Sequence, residues 1–580
     1  MAQSTPILLG PPEIYQQIGA AAATGNTETD PFVDLMVANF NTTKLYSPPM
    51  GLTENFSPTF LSTVRGTGKS DKEGYYTAVL WLHKHHPKTL ACNVASIAEF
   101  GYFKDLPEIL FRLLEGADAR KLAKESWESR KGVKRGRRSL RGRFSSRGRF
   151  TAAAAVGKSD VTDSKLSREE KKIERAKRVV DRFNRDPDFK FLHDRVSNFF
   201  ARCLRSDMIL LNSGDLYKIS LAAKWCPSLD SSFDKYTLLC ETIAKKVFPR
   251  EEYPEYEGVE EAHYAYRVRD RLRKEVIVPL RKALELPESF IGANDWGSIP
   301  YNRVASVAMK FYKEKFLKHD KERFQEYLEK VKSGEAKIAA GALLPHEIIS
   351  ALEHGDGGQV AELQWKRMVD DMGKKGKMNN CLAICDVSGS MSGIPMEVSV
   401  ALGVLVSELS ESPWKGKLIT FSENPMLQSV EGESLREKTE FVRNMDWGMN
   451  TDFQKVFDLL LKVAVDGRLK ADQMIKRLFV FSDMEFDQAS GTPWETDYEA
   501  IVRKFKERGY GECVPEIVFW NLRDSMATPV PGNQPGVALV SGFSKNLMKL
   551  FLEDGGVLNP EAVMDAAISG EEYQNLVVLD

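Results

Sequence analysis

Asp386-Val-Ser388-Gly-Ser390 ends an apolar run, Cys381-Leu-Ala-Ile-Cys385, and places one carboxylate and two hydroxyls in a single short loop. That oxygen set suits a hard cation such as Mg²⁺, which keeps several waters and takes few protein ligands. An apolar run bounded by turn residues reads as a strand covered on both faces, and open α/β sheets carry their sites beyond the carboxyl ends of such strands. Taken alone, the loop also reads as a Ser/Gly turn that merely terminates a strand. Two further segments bear on the choice. Arg477-Leu-Phe-Val-Phe-Ser482-Asp483 is a second apolar run ending in an acid, and Gly448-Met-Asn-Thr451-Asp452 leads into the helical spacing Phe453, Val456, Phe457, Leu460. Each delivers an oxygen group where one element meets the next.

Rival chemistries fail on their own residues. Gly68-Lys69-Ser70 ends like a phosphate loop, but Thr63 stands where the first glycine is required. Asp386 as a phosphatase nucleophile wants a second acid where Ser388 stands, and Ser388 as a hydrolase nucleophile wants glycine in place of Asp386. Cys381 and Cys385 lack a second cysteine pair and read as buried thiols rather than zinc ligands. His83, His85 and His86 beside Trp81 read as solvated side chains at a helix end, and His319 and His346 as structural hydrogen-bonding residues. No catalytic constellation emerges, and an enzyme is not expected.

The elements that position the loop follow from periodicity. After Gly373-Lys-Lys-Gly376, strand candidates Leu382–Ile384, Leu418–Phe421, Leu478–Phe481, Ile517–Trp520 and Val537–Val540 alternate with helices at Met396–Leu409, Leu435–Arg443, Phe453–Val465, Tyr498–Arg508 and Ser544–Leu552. This alternation predicts a doubly wound, Rossmann-like α/β domain over 373–580, with the three oxygen-bearing loops on one edge. Upstream, helical spacing over 75–116 marks an N-terminal helical region, 1–116, whose first 74 residues are broken by Pro and Gly. Residues 161–372 read as paired amphipathic helices, a HEAT-like repeat array or a compact bundle. They open on the capping box Ser167-Arg-Glu-Glu170 and the face Ile173, Ala176, Val179, Val180, Phe183, followed by Phe189, Leu192, Val196, Phe199 and Cys203.

Between them, 117–160 changes character. Arg130, Lys131, Lys134, Arg135, Arg137, Arg138, Arg141, Arg143, Arg147 and Arg149 occur with no intervening acid, and Arg-Gly-Arg-Phe is written twice, ending at Phe144 and Phe150. Such a stretch buries too little apolar surface to offset its ordering entropy, so a disordered linker or loop is expected. Arginines neutralise phosphates and the two phenylalanines offer stacking faces, which makes Arg135, Arg137, Arg138, Arg141, Arg143, Phe144, Arg147, Arg149 and Phe150 candidate RNA contacts. A solvated insertion or a nuclear-localisation signal would use the same residues. The formal charge of −1 over 580 residues therefore conceals a basic arm and about −11 on the remainder.

With 42% hydrophobic and 28% charged residues the composition is that of soluble globular protein, and the length calls for two or three domains. No stretch approaches a membrane span, and the first residues lack a basic region before their short apolar run. Seven scattered cysteines argue against a disulfide framework. The cytoplasm, or the nucleus, is the expected compartment.

In order and approximate spacing, Asp386, Ser388, Ser390, Thr451 and Asp483 resemble the metal-ion-dependent adhesion site of von Willebrand factor type A domains. The resemblance implies Mg²⁺ or Mn²⁺ held by Ser388, Ser390 and at times Thr451, with Asp386 and Asp483 acting largely through waters and one position open to an acidic group. A helical half followed by such a domain resembles the Ro autoantigen (TROVE) architecture, which implies RNA on a helical ring. Asn294-Asp-Trp296-Gly-Ser-Ile-Pro-Tyr301-Asn-Arg303, His319-Asp320-Lys-Glu-Arg323-Phe324 and Leu344-Pro345-His346-Glu347-Ile348 more closely resemble an uncharacterised plant and viral family of that layout. The expected function is a non-enzymatic, metal-dependent binding or scaffold protein. Its expected partner is RNA or, alternatively, an acidic protein ligand captured through the metal.

Overall fold

The computed structural model describes residues 72–128, 168–353, 356, 358–376, 378–420, 422, 424–445, 453–483, 494–523, 536–552 and 575–580. The protein is multidomain and mostly helical, with one six-stranded mixed sheet. It divides into two compact units, one of residues 79–280 with 579–580, the other of 1–78 with 281–578.

Every secondary-structure element described in the 79–280 unit is a helix. The longest helix among its described residues, Pro187–Ser213, starts where Asp186 accepts from the backbone N–H groups of Asp188 and Phe189 and Pro187 fixes the first turn. It stops at Gly214, whose φ of 82° only glycine adopts without strain. The buried stripe of this helix runs through Phe189, Leu192, Val196, Phe200 and Leu204. Sequence periodicity places the end of that stripe on Phe199 and Cys203, one residue out of phase with the structure. The preceding helix, Arg168–Arg185, buries Val179 but exposes Ile173 and Val180. At 100° per residue these two lie 100° or more around the helix from Val179, too far to share its face. Ser167, the expected cap, lies outside the described residues. Residues 119–128, expected to belong to a disordered segment, are helical, in keeping with the helix formers of Lys-Leu-Ala-Lys-Glu. His83 is buried rather than solvated, while His86 hydrogen-bonds through Nδ1 to the Asp580 carbonyl oxygen at 2.5 Å. The Asp580 carboxylate accepts from the Lys88 and Thr89 N–H groups and from Thr89 Oγ1.

In the other unit the sheet runs β3-β2-β1-β4-β5-β6, with β1 Cys381–Cys385, β2 Lys417–Thr420, β3 Leu427–Ser429, β4 Arg477–Ser482, β5 Glu516–Asn521 and β6 Val537–Ser541. All neighbours are parallel except β2 and β3. Every residue of β1, β4 and β6 is buried, as expected of parallel strands covered on both faces. Five of these strands match the apolar runs of the sequence. The sixth, β3, is a half-exposed three-residue edge with no periodic signal, recognisable only by its pairing with β2. The stretch expected as helix near Ser544–Leu552 is 3₁₀, Lys545–Phe551. Helix Ile394–Leu409 lies so close on β1 that a Cβ at Gly403 would come 2.0 Å from Cys385 Sγ.

Residues 281–378 supply helices that include Ser306–His319, Lys321–Ser333, Pro345–Ile349 and Gln359–Gly373. Tyr301, Met309, Phe316, Phe324 and Leu328 make one core there. A second core is continuous from this segment into the sheet: Ile348, Ile349, Leu352, Trp365, Met368 and Met372 pack with Val398, Leu402, Leu405, Phe479 and Trp520. Trp365 Nε1 donates to Glu408 Oε2 at 2.8 Å, and Lys545 Nζ donates to the Gly341 and Leu343 carbonyls at 3.1 and 2.6 Å.

Neither patterned histidine in this unit makes the hydrogen bond expected of it. His319 stacks on Trp296 at 4.3 Å and 7°. His346 meets Phe543 edge-on, and its buried Nδ1 has no hydrogen-bond partner. Burial pulls the His346 pKa down from 6.5 to about 4, with the charge of Lys310 also lowering it and Glu347 opposing. Between those two values the unfolded chain takes up a proton that the folded chain refuses. The contribution of His346 is thus whole above pH 6.5 and lost as the pH falls toward 4, by about 3 kcal/mol at most. Urea midpoints measured from pH 7 to 4.5 should fall more steeply for the natural chain than for His346→Phe. Parallel curves would contradict the assignment.

Candidate metal centre

Parallel pairing of β1 with β4 over five residues, Cys381↔Arg477 to Cys385↔Phe481, brings the two acid-terminated runs into adjacent positions. The chain leaves β1 toward β2 on one side and returns to β4 on the other, so the carboxyl ends of β1 and β4 flank the switch point of the sheet. Crevices form at such points because the loops depart in opposite directions.

Asp386 continues β1, donating its backbone N–H to the Phe481 carbonyl at 3.0 Å. The residue is 2% exposed; Oδ1 accepts from the Ser388 N–H and Oδ2 from Ser482 Oγ, each at 2.9 Å. The first bond folds the loop back so that Ser388 Oγ and Ser390 Oγ stand 2.9 Å apart. Ser390 is exposed and Ser388 nearly buried, while Met391 anchors the turn in the core. Asp483 follows β4 and is 3% exposed. Burial pushes the Asp386 carboxyl above the usual carboxylate range. Hydrogen bonds from Ser388 and Ser482 oppose that shift, and the nearby charge of Asp483 adds to it.

The structure thus brings Asp386, Ser388, Ser390 and Asp483 to one sheet edge. Thr451 and all nine candidate RNA contacts, Arg135 to Phe150, lie outside the described residues, as do Gly68, Lys69 and Ser70. Ser482 was missed by sequence reasoning. The available signal was its position next to Asp483 at the strand end, the same step at which Asp386 follows Cys385. Among the described residues no three His, Cys, Asp or Glu side chains form a metal-binding group. The donors here are two carboxylates and two hydroxyls. That set fits a hard cation: two buried carboxylates whose charges interact are costly to ionise together unless a positive charge compensates them, and hydroxyls with waters complete the shell Mg²⁺ prefers.

Residues 59–378 match the pattern of a family described as Domain of unknown function (DUF2828). The chain belongs to the DUF2828 family. Its residues 380–576 match a second pattern, Domain of unknown function (DUF7788). An uncharacterized protein of Acanthamoeba polyphaga mimivirus is 32% identical over 373 residues, in an alignment covering 61% of this chain. The chain spans 62% of that relative's length. The two family matches meet at 378–380, yet in this DUF2828 protein the second core passes without interruption from Ile348 to Trp520. No helix among the described residues is long and apolar enough to cross a membrane.

Proposed function

We propose that this DUF2828 protein is a non-enzymatic, cation-dependent binding protein whose sheet half is a von Willebrand A-type domain and whose helical half is a HEAT-like module. The observation that carries the reading is the buried Asp386 carboxylate, tied to Ser388 and Ser482 beside Asp483 at the switch point of the sheet. Ser388 and Ser390 would hold Mg²⁺ or Mn²⁺ directly, Asp386 and Asp483 through waters, and Thr451 would join them. A bound cation would supply the positive charge that attracts a carboxylate on a partner protein. The chain's own residues do the rest: the Asp386–Ser388 bond sets the spacing of the two hydroxyls, and the Asp386–Ser482 bond couples the loop to β4.

The 580-residue chain should gain about 2.7 kcal/mol of stability when Mg²⁺ is raised to a hundredfold above its dissociation constant. Asp386→Asn should abolish that gain without lowering stability in EDTA, because it removes a buried charge and keeps an acceptor for the Ser388 N–H. Urea unfolding of both proteins in Mg²⁺ and in EDTA decides the matter. Identical curves for the natural chain in the two conditions would reject a cation at this site.

The arginine-rich composition of 130–149 favours a second reading, an RNA-binding scaffold. On that reading RNA crosslinks to the full chain should fall by orders of magnitude between 50 and 200 mM salt, and deletion of 130–150 should remove them. Protein without RNA after stringent crosslinked purification would leave only the carboxylate-binding reading.

A further inference from the structure

The sheet half hides its large apolar side chains with three exceptions: among the described residues of 381–552 only Ile394, Met426 and Val465 are exposed. Val465 sits near the end of helix Phe453–Gly467, which leads toward the amino end of β4 and away from the loops at the carboxyl edge. The other two lie at that carboxyl edge, one close to the candidate centre along the chain and the other through the strand register. Ile394, 57% exposed, follows Ser390 by four residues, after the turn at Gly393, where φ is 97°. Met426, 44% exposed, is fixed against the end of β2: its N–H donates to Thr420 Oγ1 at 2.9 Å and its carbonyl accepts from the Thr420 N–H at 3.1 Å. Thr420 is the register partner of Cys385, the residue before Asp386. Neighbouring strands lie about 4.8 Å apart, so the Met426 backbone sits roughly two strand spacings from the start of the Asp386 loop.

From this placement we infer that the site takes a protein carboxylate flanked by aliphatic or aromatic side chains, with Ile394 and Met426 as its specificity-determining contacts. The inference rests on the cation reading of Asp386, Ser388, Ser390 and Asp483. A cation alone attracts any carboxylate or phosphate and cannot select among them. Selection comes from what surrounds it, and beside the polar Ser392 and Asn424 this edge exposes two large apolar side chains, Ile394 and Met426. Phosphodiesters and polar acidic segments would leave both side chains in water, whereas an Asp or Glu between Leu, Ile, Val, Met or Phe would cover them. Met adds adaptability, since its unbranched thioether fits neighbours of differing shape. Both side chains already face solvent, so replacing them costs the fold little.

The test uses the full chain and two immobilised pools of seven-residue peptides with a central Asp or Glu, one flanked by Leu, Ile, Val, Met and Phe, the other by Ser, Thr, Asn and Gln. In Mg²⁺ the apolar-flanked pool should be retained at least about tenfold better, and EDTA should release it. Ile394→Ser and Met426→Ser should each weaken retention roughly tenfold or more, the loss expected from uncovering one such side chain. Mn²⁺ uptake, followed by the spin-resonance signal of the free ion, should be the same in both variants as in the natural chain. Equal retention of the two pools, or of neither, by protein that does bind Mn²⁺ overturns the inference and leaves the cation site standing. Failure of the natural chain to bind Mn²⁺ overturns both.

Discussion

A fragment beginning at Asn380, which contains the whole of the second family match, will lack a cooperative unfolding transition and will bind hydrophobic dyes. Ile348, Ile349, Leu352, Trp365, Met368 and Met372 are each at most 4% exposed and belong to the core that covers helix Ile394–Leu409 and the sheet. Full burial of side chains of this size stabilises by about 1.5–3 kcal/mol each. Their loss therefore removes roughly 9 kcal/mol or more, against a total domain stability of about 5–15 kcal/mol. The polar links go with them: Glu408 loses the Trp365 indole N–H, and Lys545 loses the Gly341 and Leu343 carbonyls and keeps a charge that is 8% exposed in the intact unit. Arg436, which donates to the Leu352 carbonyl, loses that partner as well. The comparison is a fragment beginning at Arg281, which retains the continuous run of this unit, with urea unfolding and dye binding as readouts. A fragment from Asn380 within about 2 kcal/mol of the longer one would show that residues 340–378 are an accessory layer rather than part of the core.

Asp356→Ala in the full chain will cost about 3–5 kcal/mol, among the largest effects open to a single substitution outside the sheet. Lys313 Nζ lies 2.6 Å from Asp356 Oδ1 and 3.2 Å from the Ala351 carbonyl, and the side chains are 2% and 1% exposed. Removing the carboxylate leaves an ammonium in a dry site with a single carbonyl. Replacing both partners by apolar residues is a different matter, because neither charge then needs desolvation. Lys313→Met with Asp356→Leu should therefore regain most of the loss. It should not regain all of it: Asp356 also accepts from the N–H groups of Gly358 and Val360 at the start of helix Gln359–Gly373, at 3.3 and 3.1 Å. Loss of such a cap leaves a deficit of about 1 kcal/mol. Chemical denaturation of the two singles and the double gives the coupling. Additive costs would mean that the pair is solvated in solution.

Local pattern was enough to locate β1, β2, β4, β5 and β6 within a residue or so, and helix Leu435–Arg443 to the residue. Apolar runs and 3.6-residue spacing are written into contiguous sequence and need no partner to be read. The Asp-x-Ser-x-Ser loop was legible for the same reason: its three oxygens lie within five residues. Phase was less secure, as the shift from Phe199 to Phe200 shows, because a neighbouring element decides which side of an amphipathic helix is covered.

What only the tertiary structure decided is whatever depends on groups distant along the chain. Ser482 binds Asp386 across 96 positions, and Lys313 meets Asp356 across 43. His346, expected to hydrogen-bond, proves to be a half-buried ring whose enclosed Nδ1 has no partner, and β3 exists only as the partner of β2. Met426 gained its place beside the site through Thr420 and the β1–β2 register rather than from its own neighbours in sequence. The sequence by itself determined which elements form and which residues bring oxygen to a strand end. The order of the strands, with β1 against β4, decided that those oxygens share one sheet edge, because the free energy of sheet pairing and core burial is carried by contacts that no local window contains.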